Sequence, residues 1–152
     1  MQREEGLPRP PQAWFFVVDA GRARLLTCSK VAFDRLHVDE LSAIEYEPEE
    51  HERGRPSPRT GKSGNTYASL GRESEHQIRR FAKEVEDWIE NHLERIDAPS
   101  ITLFSAPRFL GELRKLFGPT VVDRIEERQA ALTQLSTSDL ARHPAVAELL
   151  PD

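Results

Sequence analysis

The chain has 152 residues, of which 38% are hydrophobic and 31% charged, and its formal net charge at pH 7 is −5. This length suits one domain with a sizeable core. No apolar run approaches the ~20 residues that span a bilayer, so the sequence predicts no membrane contact. The single cysteine excludes an intrachain disulfide, and the acidic balance excludes a protein coated in positive charge. Any contact with nucleic acid must therefore be local.

Residues 1–12, MQREEGLPRPPQ, are broken by prolines and match neither a signal peptide nor a transit peptide. We interpret them as a flexible leader before a single domain over residues 13–150. A reducing cytoplasm is the compartment that this composition favours. Cys28 lies in an apolar run, which indicates a small buried hydrophobe rather than a reactive thiol.

The first half of the domain predicts an antiparallel meander. Residues 14–18 form an aromatic and β-branched run that is typical of a strand buried on both faces. Gly21 favours a tight hairpin turn with a positive φ, after which residues 22–29 resume as a second strand. A third extended segment lies near residues 35–38, and residues 41–46 either continue it or form a fourth strand.

The second half alternates helices with strands. Ser74 begins a capping-box pattern, and the apolar residues at three- and four-residue steps behind it predict a long amphipathic helix. Residues 100–104 indicate a short apolar strand, and Pro107 starts a second helix, whose buried face includes Leu116. Residues 125–132 predict an edge strand. A second capping box then opens a terminal helix.

This order of elements predicts one α/β domain, with a mixed and mostly antiparallel β-sheet flanked by α-helices. No repeat or clear linker indicates a second domain. Residues 47–74, between the meander and the long helix, are predicted to form a long mobile loop. The loop is rich in Gly, Ser and Pro and has too little apolar surface to fold on itself.

The loop also carries the most informative charge pattern of the chain. Residues 53–72 hold five cationic side chains and no carboxylate, in a protein that is acidic overall. Such a segment suits a polyanion such as RNA. The acidic run at residues 45–52 offers another interpretation, in which the two blocks neutralise each other. The candidate nucleic-acid-binding residues are Arg55, Arg59, Gly61, Lys62, Ser63, Gly64, Arg72 and Arg79.

No motif specifies an enzyme. Gly61, Lys62 and Ser63 resemble the end of a phosphate-binding loop, but Pro56 stands where that motif needs its first Gly. The five histidines show no metal-ligand spacing, and the chain has no GxSxG nucleophile motif. The sequence therefore predicts no cofactor and no metal, and it favours a non-enzymatic binding protein.

Three segments carry a resemblance to a known family. Residues 17–25 are VVDAGRARL, residues 101–111 are ITLFSAPRFLG and residues 132–136 are LTQLS. They are similar to the ADGGRARL-type start, the LVLVAAPRFLG segment and the DLTHLS-like ending of the bacterial host attachment proteins. The resemblance extends over residues 13–143 and implies a role in attachment to host cells.

The order strand, loop, long helix, strand and helix also resembles the RNase H-like middle domain of archaeal and eukaryotic peptide-chain release factors. Residues 61–66, GKSGNT, are similar in character to the release-factor sequence GRGGQS. The resemblance implies that Lys62 faces RNA phosphate and that Asn65 stands where a glutamine positions water. Ser63 in place of a Gly, and the shorter side chain of Asn65, depart from the pattern.

The sequence leaves three functions open. The first is a non-enzymatic cytoplasmic protein that contacts ribosomal RNA or tRNA through residues 53–72. The second is a protein-interaction or adhesion-related factor for attachment to host cells, with its contacts in residues 45–52 or the termini. The third is a peptidyl-tRNA hydrolase with Asn65 as the candidate catalytic residue. The sequence does not predict an oligomeric state.

Overall fold

A computed structural model of the chain describes residues 12–31, 35–48 and 63–150, with the backbone alone for residues 63–74. Its strands are β1 (Gln12–Val18), β2 (Arg22–Lys30), β3 (Leu36–Glu45), β4 (Ile101–Ser105) and β5 (Ile125–Gln129). Its helices are α1 (Ser63–Leu93), α2 (Pro107–Leu116), α3 (Pro119–Arg124), α4 (Thr137–Ala141) and α5 (Pro144–Ala147). The predicted leader, apart from Gln12, lies outside the described residues.

The five strands form one mixed sheet in the order β3-β2-β1-β4-β5. β2 is antiparallel to both β1 and β3, whereas β4 is parallel to both β1 and β5. The predicted α/β class and the opening meander are therefore confirmed, and the antiparallel ladders are the longer ones. The third and fourth extended segments form one strand, β3, in which Leu41 is the extra residue of a bulge.

The central strand, β1, is buried on both faces, as its apolar run predicts. Phe16 and Val18 pack with side chains of α1 and α2, and Phe15 and Val17 pack with side chains that follow β5. All four are at most 1% exposed. Because neighbouring strand residues point to opposite faces, β1 contributes to two cores at once.

α1 begins at Ser63, so the predicted helix start at Ser74 is wrong. A capping-box pattern marks a start only where the preceding residues stop a helix. Residues 66–73, TYASLGRE, contain no Pro and one Gly, Gly71, which costs a helix only about 1 kcal/mol and does not stop it. The predicted loop over residues 47–74 is therefore helical from Ser63 onward, and residues 49–62 lie outside the described residues.

The apolar stripe of α1 is buried as predicted and includes Ile78, Phe81, Val85, Ile89 and Leu93. Beyond the helix, Arg124 holds the turn that leads to β4. Its guanidinium donates hydrogen bonds to the carbonyl oxygens of Leu93, Ile96 and Ala98 at 2.6, 2.7 and 2.6 Å. One side chain thus satisfies three carbonyl groups at the end of α1.

We expect the substitution Arg124→Leu to lower the free energy of unfolding by about 1–2 kcal/mol, because water replaces only part of these bonds. Urea denaturation followed by circular dichroism measures the change. Arg95→Leu is the control, since Arg95 is exposed beside the same turn. Equal effects of the two substitutions would refute a role for Arg124 in holding the turn.

The segment after β5 covers the second face of the sheet with two short helices where the sequence predicts one. Ser136 caps α4 as predicted, because its Oγ accepts a hydrogen bond from the Asp139 N–H at 3.1 Å. Pro144 has no N–H with which to continue that helix. The chain instead begins α5 there, and His143 Nδ1 accepts from the Ala145 N–H at 3.0 Å.

Two side-chain predictions have opposite outcomes. Cys28 is 1% exposed, which confirms the predicted buried cysteine, and burial raises the pKa of its thiol to about 11. Leu116 is wrongly predicted as buried, since it is 39% exposed. It is the last residue of α2, beyond the part of the helix that packs on α1.

Among the described residues, no helix is long and apolar enough to cross a membrane.

Candidate functional site

An open cleft of about 590 Å³ lies at one end of the sheet. From β1 the chain turns to β2 on one side, and from β4 it continues through α2 and α3 to β5 on the other side. The parallel neighbours β1 and β4 therefore form a topological switch point. The cleft lies just outside their carboxyl ends, which is the usual place for a ligand in an open α/β sheet.

The β1–β2 turn forms one wall of the cleft, and Asp19 holds it. The Asp19 carboxylate accepts hydrogen bonds from the N–H groups of Gly21 and Arg22 at 2.8 and 2.9 Å. The φ of Gly21 lies outside the left-handed region, so the predicted positive φ is wrong. The turn depends on the short carboxylate side chain rather than on glycine geometry.

The same hairpin binds the segment that follows β5. Thr133 Oγ1 donates a hydrogen bond to Asp19 Oδ2. The Thr133 carbonyl oxygen accepts from Arg24 at 3.0 Å and from Arg22 at 3.4 Å. Because the next residue, Gln134, lines the cleft, these bonds also fix a second wall of the site.

Arg24 is a buried functional group that the sequence reasoning missed. It is 5% exposed, and besides Thr133 it binds Glu40 at 2.8 Å and the Leu135 carbonyl oxygen at 2.7 Å. The strand periodicity could have indicated its burial, because Arg24 lies on the same strand face as Leu26 and Cys28. A charged residue at an inward position of a buried strand indicates a specific partner.

Arg108 lines the cleft and, at its rim, shares one carboxylate with the neighbouring Arg79. Arg79 on α1 and Arg108 on α2 approach the Glu75 carboxylate at 3.9 and 3.7 Å. Both distances are too long for a hydrogen bond, and neither arginine donates one to any described residue. Each arginine side chain is 65% exposed. Counted over these three described side chains, the group has one excess positive charge and N–H donors that no described residue uses.

Other cations near the cleft are already engaged. Arg22 contacts Glu45 at 3.1 Å. The Arg80 guanidinium lies 5.0 Å from the centre of the Tyr46 ring and donates to the Tyr46 hydroxyl at 2.9 Å. These contacts tie α1 and β2 to the end of β3. Within the part of the chain that the structure describes, Arg79 and Arg108 are thus the cations beside the cleft that are open to a further anion.

Arg79 is the predicted site residue whose side chain the structure describes; it does not line the cleft, but Glu75 links it to Arg108, which does. Arg55, Arg59, Gly61 and Lys62 lie outside the described residues, whereas Ser63, Gly64 and Arg72 belong to α1 by their backbone. Asn65 also lies in α1, so the loop that its catalytic interpretation required is not formed there. Arg108 was not among the predicted site residues, although it follows the carboxyl end of β4.

Among the described residues, no group of three or more His, Cys, Asp or Glu is arranged to hold a metal ion.

Fold and site together define a single-domain α/β protein with a mixed sheet and a ligand-sized cleft at its switch point. Residues 14–143 match the family model described as "Protein required for attachment to host cells". The chain belongs to this family, and the resemblance drawn from residues 17–25 and 101–111 is confirmed. No curated protein matches the sequence.

Among solved structures, the chain is similar to the Pelota protein of Thermoplasma acidophilum, at 12% sequence identity and a TM-score of 0.46. The similarity covers 97% of this chain and 38% of that protein. The chain thus spans well under half the length of that protein. A likeness at this level supports neither a shared activity nor a shared partner.

Proposed function

We propose that this family member is a non-enzymatic, cytoplasmic binding protein that contacts ribosomal RNA or tRNA through phosphate groups. The observation that supports the proposal is the pair Arg79 and Arg108, which share one carboxylate and donate no hydrogen bond to any described residue. Guanidinium groups in this state suit phosphate oxygens, which accept two parallel hydrogen bonds.

The cationic residues 53–72 extend this surface along the chain. Their last ten residues belong to α1, which also carries Arg79, and the whole segment contains five cations without a carboxylate. In the proposed complex Arg55, Arg59, Lys62 and Arg72 neutralise phosphates, and Gly61 offers its backbone at close range. Because the protein is acidic elsewhere, binding is expected to be confined to this side and to be sensitive to salt.

The test replaces Arg55, Arg59 and Lys62 together with Glu and measures tRNA binding by fluorescence anisotropy over a series of salt concentrations. Loss of three phosphate contacts should lower the slope of log affinity against log salt by about 2, at ~0.7 per contact with a single strand. Co-sedimentation with ribosomes on sucrose gradients should be lost in parallel.

A matched control carries the same charge change elsewhere. Lys83, Arg95 and Arg114 are exposed, and replacing these three with Glu also changes the net charge by −6. The control should keep most of the affinity and nearly all of the salt slope, since only the overall field changes. The proposal fails if both triple variants bind RNA with the same affinity and slope.

The family description favours a second function, a protein interaction that serves attachment to host cells. The acidic residues 45–52 are the candidate surface, and Glu45 and Glu47 are exposed within the described part of that run. Cell fractionation separates the two functions. Protein recovered outside the cell supports the attachment role, and salt-sensitive recovery with ribosomes supports the RNA role.

A further inference from the structure

We propose that the cleft at the β1–β4 switch point binds one unpaired nucleotide, with its phosphate at Arg108 and its nucleoside inside the cleft. This inference rests on the proposed RNA binding and specifies single-stranded RNA as the form that is bound. Four features of the cleft support this proposal: its apolar floor, its polar wall, the charge at its rim and its size.

The floor of the cleft is apolar and already formed. Ile78 from α1 and Phe109 from α2 line it and are only 8% and 2% exposed, because the core holds them in place. Ala20 and Ala106 complete the floor with small side chains. The half-buried Ala20 and Ala106 are the part of this floor that a ligand can touch, with Ile78 and Phe109 packed behind them. Such a preformed apolar surface suits the flat face of a nucleobase.

The wall opposite the rim sets the orientation of the nucleotide. Asp19, Arg22 and Glu45 line this side of the cleft, and because Arg22 pairs with Glu45 at 3.1 Å, Asp19 leaves it with a net negative charge. The phosphate therefore belongs at the Arg108 side. Gln134 is exposed and makes no hydrogen bond with any described residue. Its amide offers two donors and an acceptor to a base edge or a ribose hydroxyl.

The size of the cleft limits the ligand. About 590 Å³ is within the range of small-molecule pockets, which runs from roughly 300 to 1,000 Å³. A base in a duplex reaches such a site only after it leaves the stack, at a cost of a few kcal/mol. Unpaired RNA does not bear that cost, so we expect it to bind more tightly than duplex RNA.

The experiment titrates the full chain with adenosine 5′-monophosphate by isothermal titration calorimetry, beside adenosine and inorganic phosphate. The nucleotide should bind at least about tenfold more tightly than either fragment, because only it engages both floor and rim. Arg108→Gln should remove most of that difference and leave adenosine binding unchanged. Arg114→Gln, on the same helix and paired with Glu127, is the control.

A steric variant tests the cleft without a change of charge. Gly21 lines the cleft, and a Cβ built there meets nothing nearer than Asp19 Oδ1 at 3.8 Å. Gly21→Phe should therefore fold, fill the cleft and weaken nucleotide binding at least about tenfold. Gly111→Phe is the control, since a Cβ at Gly111 on α2 meets no atom within 4 Å. Thermal melting of each variant verifies that it is folded.

The outcomes separate this inference from the proposed function. If wild type fails to bind the nucleotide, or a folded Gly21→Phe protein binds it as wild type does, the inference is overturned. Salt-sensitive RNA binding that persists in that case leaves the proposed function intact. A third outcome is that the nucleotide binds, Gly21→Phe abolishes its binding, and RNA does not bind at any salt concentration. That result would support the nucleotide site in the cleft and refute the proposed RNA binding.

Discussion

Replacing Arg24 with Met should lower the free energy of unfolding by about 2–4 kcal/mol, because two carbonyl groups lose a buried donor while the 33% exposed Glu40 carboxylate is partly hydrated. Arg24 joins three parts of the chain, because from β2 it reaches Glu40 on β3 and the carbonyl oxygens of Thr133 and Leu135. Met has a similar length and no donor. The variant therefore leaves two carbonyl groups and a carboxylate without their partner.

Geometry explains why Lys is a poor substitute at this position. The guanidinium directs Nε and Nη2 at the Glu40 carboxylate, at 3.1 and 2.8 Å, and Nη1 at the two carbonyl groups. A single ammonium group cannot span these partners, since its donors start from one nitrogen. We expect Arg24→Lys to recover less than half of the lost stability.

Arg128→Met is the matched control for Arg24→Met in urea denaturation. Arg128 also contacts two partners, Glu126 at 3.1 Å and Glu148 at 3.4 Å, but its side chain is 36% exposed. Exposed pairs of this kind contribute about 0–1 kcal/mol. If the two variants lose the same stability, Arg24 does not hold the C-terminal segment against the hairpin.

The parts of the fold that the sequence predicts correctly are those in which local pattern and tertiary burial agree. The apolar run of β1 marks a strand covered on both faces, and the stripe from Ile78 to Leu93 marks the buried face of α1. Ser136 caps a helix because its hydroxyl needs only the N–H three residues on. Each of these features depends on neighbours in sequence or on simple burial.

The missed features depend on residues that are distant in sequence. Arg24 lies 109 residues from Thr133, and Arg108 meets Glu75 only because α1 packs on α2. No local pattern encodes such pairs. The wrong start of α1 has a different cause. The sequence at Ser74 favours a helix N-terminus locally, but the helix already begins at Ser63 and continues through this position. The cleft follows from strand order, which periodicity alone does not determine.

Substitution of Glu86 should have the other large effect on the free energy of unfolding, and the size of that effect depends on pH. This side chain of α1 is 7% exposed, and its pKa is raised from 4.5 to about 7. Burial is the main cause, followed by the hydrogen bond and negative charge of Glu90 and by the nearby Asp87. The folded state therefore binds a proton more tightly than the unfolded state. This stabilisation is complete below the ordinary pKa and is lost as the pH rises through about 7.

Glu86→Gln should consequently raise the free energy of unfolding by about 2–3 kcal/mol at about pH 9, and should change it little at about pH 4. At the higher pH the amide removes a buried charge that Glu90 and Asp87 repel, whereas at the lower pH the wild-type group is already neutral in both states. Urea denaturation at the two pH values measures the difference. Glu84→Gln, at an exposed position of the same helix, should change stability by less than about 0.5 kcal/mol at either pH. A Glu86→Gln effect of equal size at both pH values would show that packing, not charge, governs this position.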